Sequence, residues 1–265
     1  MKTNGKFLAM LLLLIGTSLF SCKKENNEEN EMATSEDMAL SESTFDQIFK
    51  EVDGNASENG LRKSYPIVTI DSTISPRTMT IDYGSSNFLC NDGNYRRGKI
   101  RVSWTGRYRD VNTVIATTFE NFYQNDNKIE GSKTITNTGR NASGQLTFSI
   151  AVDGKITNTA NEVITWKSNR TRTWVSGENT RIWLDDKYSI SGEANGINRN
   201  GFTFTTKITA PLSIDLSCQW RIVAGTIELT PENKPTRTID YGNGTCDRIA
   251  TVTVRGRTYT IQLRK

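Results

Sequence analysis

Five side chains recur at every second position of the stretch WKSNRTRTWVSG: Trp166, Ser168, Arg170, Arg172 and Trp174. On a β-strand that spacing places all five on one face. Guanidinium groups between indoles can stack on sugar rings, or pair with the anionic groups of acidic glycans and lipid headgroups. Trp166, Arg170, Arg172 and Trp174 are therefore the candidate ligand-binding set. Arg96, Arg97, Arg101, Arg107, Tyr108 and Arg109 supply further cations and one aromatic nearby. The competing expectation is Arg–Trp packing across strands on a solvated sheet face, which also guards against edge pairing.

The chain has no histidine. That excludes Ser-His-Asp and Cys-His nucleophilic schemes, together with every His-ligated metal centre. Cys90 without a base partner is a poor nucleophile. A glycoside hydrolase needs only two carboxylates, but no spacing marks a pair, and Asp185-Asp186 reads as a turn before KYSISG. The stretches CNDGN (Cys90 to Asn94) and GNGTCD (Gly242 to Asp247) gather oxygen ligands without the spaced acidic pattern of a calcium loop, so they read as Asx-turns. The expectation is a non-catalytic protein with no cofactor and no metal.

Four cysteines are present: Cys22, Cys90, Cys218 and Cys246. Cys218 and Cys246 flank consecutive predicted strands that fold back around PENKP, which brings them to the same end and favours a Cys218–Cys246 disulfide. Cys90 is then the spare thiol, with Cys90–Cys218 the remaining alternative.

The elements that must position these residues begin after a leader. Lys2 and Lys6 precede the apolar run from Phe7 to Phe20, which ends at Ser21-Cys22. Charge, length and order of parts are those of a secretory signal peptide over residues 1–21, and the run falls short of the roughly 20 apolar residues of a bilayer span. Leu19-Phe20-Ser21-Cys22 resembles the lipobox of bacterial lipoproteins. By that resemblance Cys22 is acylated, palmitate being a typical chain, and two or more chains anchor the protein stably. The following Lys-Lys-Glu and its acidic continuation are similar to the surface-export signal of Bacteroidota lipoproteins, which implies the outer membrane and its outward face.

Lys23 to Glu58 holds three lysines against eleven carboxylates, net −8, whereas residues 59–265 carry net +10. The basic excess is too modest for a nucleic-acid partner, and an exported chain rarely meets one. Residues 22–42 read as an acidic flexible tether. Residues 43–53 read as a short amphipathic helix, with Thr44 and Gln47 in a capping box and Phe45, Ile48, Phe49 and Val52 on one stripe.

From residue 64 to 265 the pattern is β: short runs of Val, Ile, Thr, Phe, Tyr and Trp alternate with polar residues and are punctuated by Gly, Asn and Asp. Short connections make the strands antiparallel. The fold class is an all-β, elongated antiparallel meander of stacked hairpins, sandwich-like or an open curved sheet. Ile-Asp-Tyr-Gly occurs at 81–84 and again at 239–242, each followed by a cysteine and another strand, as if hairpin units were repeated. In that corner Asp caps a turn, Gly takes a positive φ and Tyr covers the core end.

Together with CNDGNYRRGKIRV, NRTRTWVSG and CQWRIVAG, these motifs are similar to a family of uncharacterised Bacteroidota lipoproteins. That resemblance brings no activity with it. The expected role is a lipid-anchored envelope protein with a binding or structural function and a glycan or lipid headgroup as partner. A carrier of a lipid or glycolipid on a curved sheet is the alternative, and a carbohydrate-active enzyme the third reading.

Overall fold

The computed structural model describes residues 22–57, 65–180, 182–218 and 221–262. One helix, α1 (Cys22–Ser57), precedes fourteen strands. These are β1 (Ile67–Asp71), β2 (Arg77–Asp82), β3 (Phe88–Leu89), β4 (Tyr95–Trp104) and β5 (Val114–Gln124). Then come β6 (Asn127–Arg140), β7 (Leu146–Thr157), β8 (Val163–Ser176), β9 (Lys187–Ile197) and β10 (Thr203–Asp215). The last are β11 (Ile222–Pro231), β12 (Arg237–Asn243), β13 (Ile249–Val254) and β14 (Arg257–Gln262). Every pairing is antiparallel between sequence neighbours, except that β3 lies off the path beside β4 and β2 passes directly to β4. The all-β meander is thus what the strand pattern dictates.

Three hairpin turns share one construction. Asn141, Asn158 and Asn198 each accept two backbone N–H bonds on the side-chain oxygen, from the second and fourth residues beyond. Gly144, Asn161 and Gly201 take the positive φ that this turn needs. β5 and β6 instead join through Asn125-Asp126, both at positive φ. Gly98, Gly131, Gly192 and Gly225 lie inside strands against a neighbouring carbonyl, and the middle two of them bend the centre of the sheet. A Cβ on Gly131 would lie 2.0 Å from the Asp153 carbonyl, and one on Gly192 would lie 2.2 Å from that of Asn169. Both sit at positive φ, the kink that lets a sheet coil.

The sheet bends around the helix. Thr34 accepts from Asn198 at the β9–β10 turn (2.8 Å), while the next residue, Ser35, accepts from Arg237 on β12 (2.7 Å). Three strand spacings would separate those points by about 14 Å in a flat sheet, more than a helix is wide. The inner face is therefore a trough. Buried residues from β2 through β13 join Met38, Phe45, Ile48 and Val52 of α1 in one cluster.

Two expectations are corrected here. The helix covers Cys22–Ser57, not residues 43–53, so the segment 22–42 is helical and no flexible tether. Glu36, Asp37 and Glu42 have partners on the sheet, Asp37 being fully buried against Arg199, and Ala33 and Met38 are buried as well. Thr44 lies inside the helix, buried at 3% exposure, so it is no cap, and Gln47 bonds to Gln124 instead (2.7 Å). The Cys22 and Phe49 side chains, and the leader at residues 1–21, lie outside the described residues.

The repeated Ile-Asp-Tyr-Gly corner is local. Asp82 accepts from the Gly84 amide and Asp240 from the Gly242 amide, each at 2.8 Å, with both glycines at positive φ. Tyr83 is fully buried and donates to Glu51 of α1 (2.9 Å), while Tyr241 packs against two core clusters. Yet nine antiparallel steps separate β2 from β12, so the strands run oppositely. After the first corner the chain moves toward the middle of the sheet, and after the second toward its edge. The two hairpins turn with opposite hands, which rules out repeated units.

The cysteines pair as Cys218–Cys246, with a Cα–Cα distance of 5.6 Å, tying the β10–β11 connection to the β12–β13 connection. Cys90 is a buried free thiol.

Phe45 sits over Gly154, where an added Cβ would fall 2.1 Å from the ring. Replacing Phe45 by Ala removes the ring from the centre of the trough and should cost about 3–5 kcal/mol in urea unfolding. A loss below about 1 kcal/mol would show that α1 is not integral to the core. At the other end of the strands, hydrogen bonds from Lys187 and then Ser217 hold Asp215 down to about 2. A depressed carboxylate stabilises above its unfolded value and loses that contribution as pH falls through the folded one. Urea midpoints measured from pH 4.5 down to pH 2 should therefore fall more steeply for the native chain than for Asp215→Asn.

Candidate functional site

The alternation read from WKSNRTRTWVSG holds: Trp166, Ser168, Arg170, Arg172 and Trp174 point the same way, while Lys167, Asn169 and Thr171 are exposed on the other face. The face they occupy is the inner one. Trp166 is 2% exposed and Arg170, Arg172 and Trp174 are each 7% exposed, so neither an open binding surface nor a solvated sheet face describes them. The physical reason is that α1 shares a cluster with Trp166 and pairs with Arg170, while Tyr108 and Arg109 of the β4–β5 loop lie against Arg172 and Trp174.

The set divides into two environments. Trp166 stacks on Phe204 (centroids 6.0 Å apart, 30° between planes) within the main cluster. Arg170 donates to Glu42 of α1 at 2.8 Å. Further along β8, Arg172 lies over Tyr188 (4.9 Å), Phe148 (5.0 Å) and Tyr108 (5.9 Å), and it donates to the Tyr108 hydroxyl. Trp174 donates its indole N–H to Asp186 (3.1 Å), with the Arg109 guanidinium 4.8 Å from its ring. The second group belongs to a separate cluster with Ile135, Leu146, Phe148 and Ile150.

The other basic candidates scatter. Arg96 is fully buried, donating to Asp92, Glu51 and Gln124. Arg97 pairs with Asp126 and covers the Tyr123 ring, and Arg101 pairs with Glu120. Arg107 and Arg109 are exposed on the loop after β4. Burial pushes Asp92 up, but the bonds from Arg96 and Asn94 outweigh it and hold the carboxyl below its usual range. That carboxylate is already committed, which leaves the CNDGN stretch an Asx-turn with a guanidinium on it. Among the described residues no group of three or more His, Cys, Asp or Glu could hold a metal ion. Asp185 accepts from Thr180 (2.9 Å), while Asp186 accepts from Trp174 and Tyr188 and is raised by burial.

What the residue pattern did not announce is a row of cations on the inner face, each met by α1. Arg96 meets Glu51 (3.3 Å), and Lys133 donates to the Phe45 carbonyl (3.0 Å) and to Asp46 (3.2 Å). Arg170 meets Glu42, and Arg199 bonds Asp37 through both its backbone N–H (2.6 Å) and its Nε (2.7 Å). Arg237 donates to Ser35 (2.7 Å). Lys133 was the available signal. It stands at an inward position between Gly131 and Ile135, where a lysine requires a buried acceptor.

Glu42 is raised above its ordinary value by burial, against the pull of Arg170. Burial first, and the Glu42 charge second, also raise the Tyr241 phenol on β12, so this carboxylate is felt by strands four places apart. Comparison with protein-family models, curated proteins and solved structures finds no match. The arrangement is an acidic helix clasped by a basic, aromatic trough.

Removing Arg170 strands a carboxylate that keeps 28% of its side-chain exposure. Arg170→Ala should therefore cost about 2–4 kcal/mol, toward the lower part of the range for a broken buried pair. Glu42→Gln, which removes the charge but keeps an acceptor, should cost less than half of that. Arg170→Met with Glu42→Gln should recover part of the loss. Equal and small losses for both single variants in urea titration would mean that the pair does not hold α1.

Proposed function

We propose that this chain is a lipid-anchored protein of the bacterial outer membrane, displayed on the cell surface, with a non-catalytic binding or structural role. The observation that carries the reading is Leu19-Phe20-Ser21-Cys22 at the end of the apolar run from Phe7. A basic start at Lys2 and Lys6, and Lys23-Lys24-Glu25 leading into an acidic stretch, support it. The Cys218–Cys246 disulfide fits a chain that matures in an oxidising compartment.

On this reading the acidic segment after Cys22 has a mechanical task. α1 begins at Cys22, and between Ala33 and Val52 one face of it is buried in the trough. A chain pulled by its acylated end would load the Asp37–Arg199 and Glu42–Arg170 contacts, so the anchor connects to the folded body through a clasped helix instead of a loose tether. Trp166 and Arg170 then serve the clasp, and Arg172 and Trp174 pack with Tyr108 in a core of their own. A glycan, a lipid headgroup or a carried lipid would reach Trp166 and Arg170 only after α1 had left. The absence of histidine, and the hydrogen bonds that engage Asp185 and Asp186, support the non-catalytic role.

The test is fractionation of cells expressing the native chain or Cys22→Ser. The native chain is expected in the membrane pellet, and the variant in the soluble fraction with an unchanged fold. Membrane retention of Cys22→Ser would refute acylation as the anchor, and complete protection of the native chain from protease added to intact cells would refute surface display.

A further inference from the structure

We infer that β14 is a docking edge for a second copy of the same chain, the two strands pairing antiparallel about a twofold axis at Thr260. Among the described residues β14 ends the sheet, with no strand on its outer side. All six residues of β14 are exposed, and Tyr259 and Ile261 keep 51% and 38% of their surface although they lie on the inner face opposite Val252 and Ala250. The strand RTYTIQ has no proline, no bulge and one charge, at its first residue, so it lacks the devices that blunt a sheet edge. The opposite edge, β1, has them in part: Pro66 precedes it and Asp71 ends it.

The hairpin turn fixes which backbone groups are available. Arg255 and Gly256, both at positive φ, form a two-residue loop between Val254 and Arg257. In such a hairpin the flanking pair is hydrogen-bonded and the pattern alternates. Tyr259 and Ile261 therefore spend their N–H and C=O groups on Val252 and Ala250, and those of Thr258, Thr260 and Gln262 face away from the sheet.

Strand direction selects the occupant. Twelve antiparallel steps separate β1 from β14, so both run the same way and, with inner faces on one side, can meet only in parallel, whether within one molecule or head to tail. With inner faces kept on one side, a second copy of the chain offers β14 an antiparallel partner only in its own β14. A twofold axis normal to the sheet keeps inner face with inner face. Setting Thr260 opposite Thr260 places Thr258 opposite Gln262, so each outward group finds a partner, giving about six new hydrogen bonds. The same register sets Tyr259 against Ile261 twice on the inner side, and it keeps the two Arg257 side chains at opposite ends of the pair. An edge contact this small belongs to the weak class, with a Kd on the order of tens of micromolar.

Sedimentation velocity of the full chain, in one detergent and over a concentration series, reads this directly. The native chain is expected to pass from monomer to dimer. The Thr260 N–H is not used within the hairpin, so Thr260→Pro leaves β13–β14 pairing intact while blocking the axis of the new pair. It should weaken dimerisation about tenfold or more. Tyr259→Glu, a change at an exposed side chain, should weaken it too, and an unchanged circular dichroism spectrum confirms the fold of each variant. A native chain that stays monomeric up to several hundred micromolar overturns the inference. So does a dimer that both folded variants form as tightly as the native chain. Neither result depends on whether Cys22 carries lipid.

Discussion

The contact on which the rest of the structure depends is Phe45 of α1 resting on Gly154 at the floor of the trough. A sheet of more than a dozen strands presents one continuous apolar face, and a sheet buries such a face only against another layer. Here the layer is a single helix, so the sheet must come to the helix. Gly131 and Gly192 permit the bend, and Gly154 lets the ring settle against bare backbone. With Phe45, Ile48 and Val52 in place, one cluster runs from Met79 on β2 to Ala250 on β13.

Charge settles which helix can occupy that place. The inner face carries Arg96, Lys133, Arg170 and Arg237, none more than 7% exposed, and buried cations without partners are costly. The helix supplies Glu51, Asp46, Glu42 and Ser35 in register with them. The acidic residues of α1 from Glu36 to Glu51 and the inner-face cations of the sheet are thus two halves of one interface. Such pairs add little net stability compared with well-packed apolar residues, and their best-attested use is to fix register. That suits a helix whose apolar stripe alone would tolerate a slip of one turn along the trough.

Much of the fold was legible in the sequence, because strand alternation depends on nearest neighbours. The shared face of Trp166 to Trp174, the antiparallel meander and the Cys218–Cys246 bridge all follow from local pattern and short connections. What local pattern lacks is the sign of a face. Arg170 and Arg172 look like surface residues until Glu42 and the rings of Phe148 and Tyr188 are brought to them from 128, 24 and 16 residues away. The extent of α1 was illegible for the same reason: Glu36, Asp37 and Glu42 suggest a solvated stretch when their partners on β8 and the β9–β10 turn are out of view. The Asn141, Asn158 and Asn198 turns were the true recurring unit, and Ile-Asp-Tyr-Gly, the more conspicuous echo, repeats only a corner.

The direction of the strands explains why the trough stays open. A meander closes into an antiparallel barrel only when its two edge strands run oppositely, which requires an even number on the path. This path has thirteen, with β3 set aside, so β1 and β14 run alike and closing would demand a parallel seam between short exposed strands. Parallel pairs are slightly less stable per residue, and the helix already covers the face that closure would protect. The open edge is thus a consequence of strand count, and the clasped helix is the reason the sheet can leave it open.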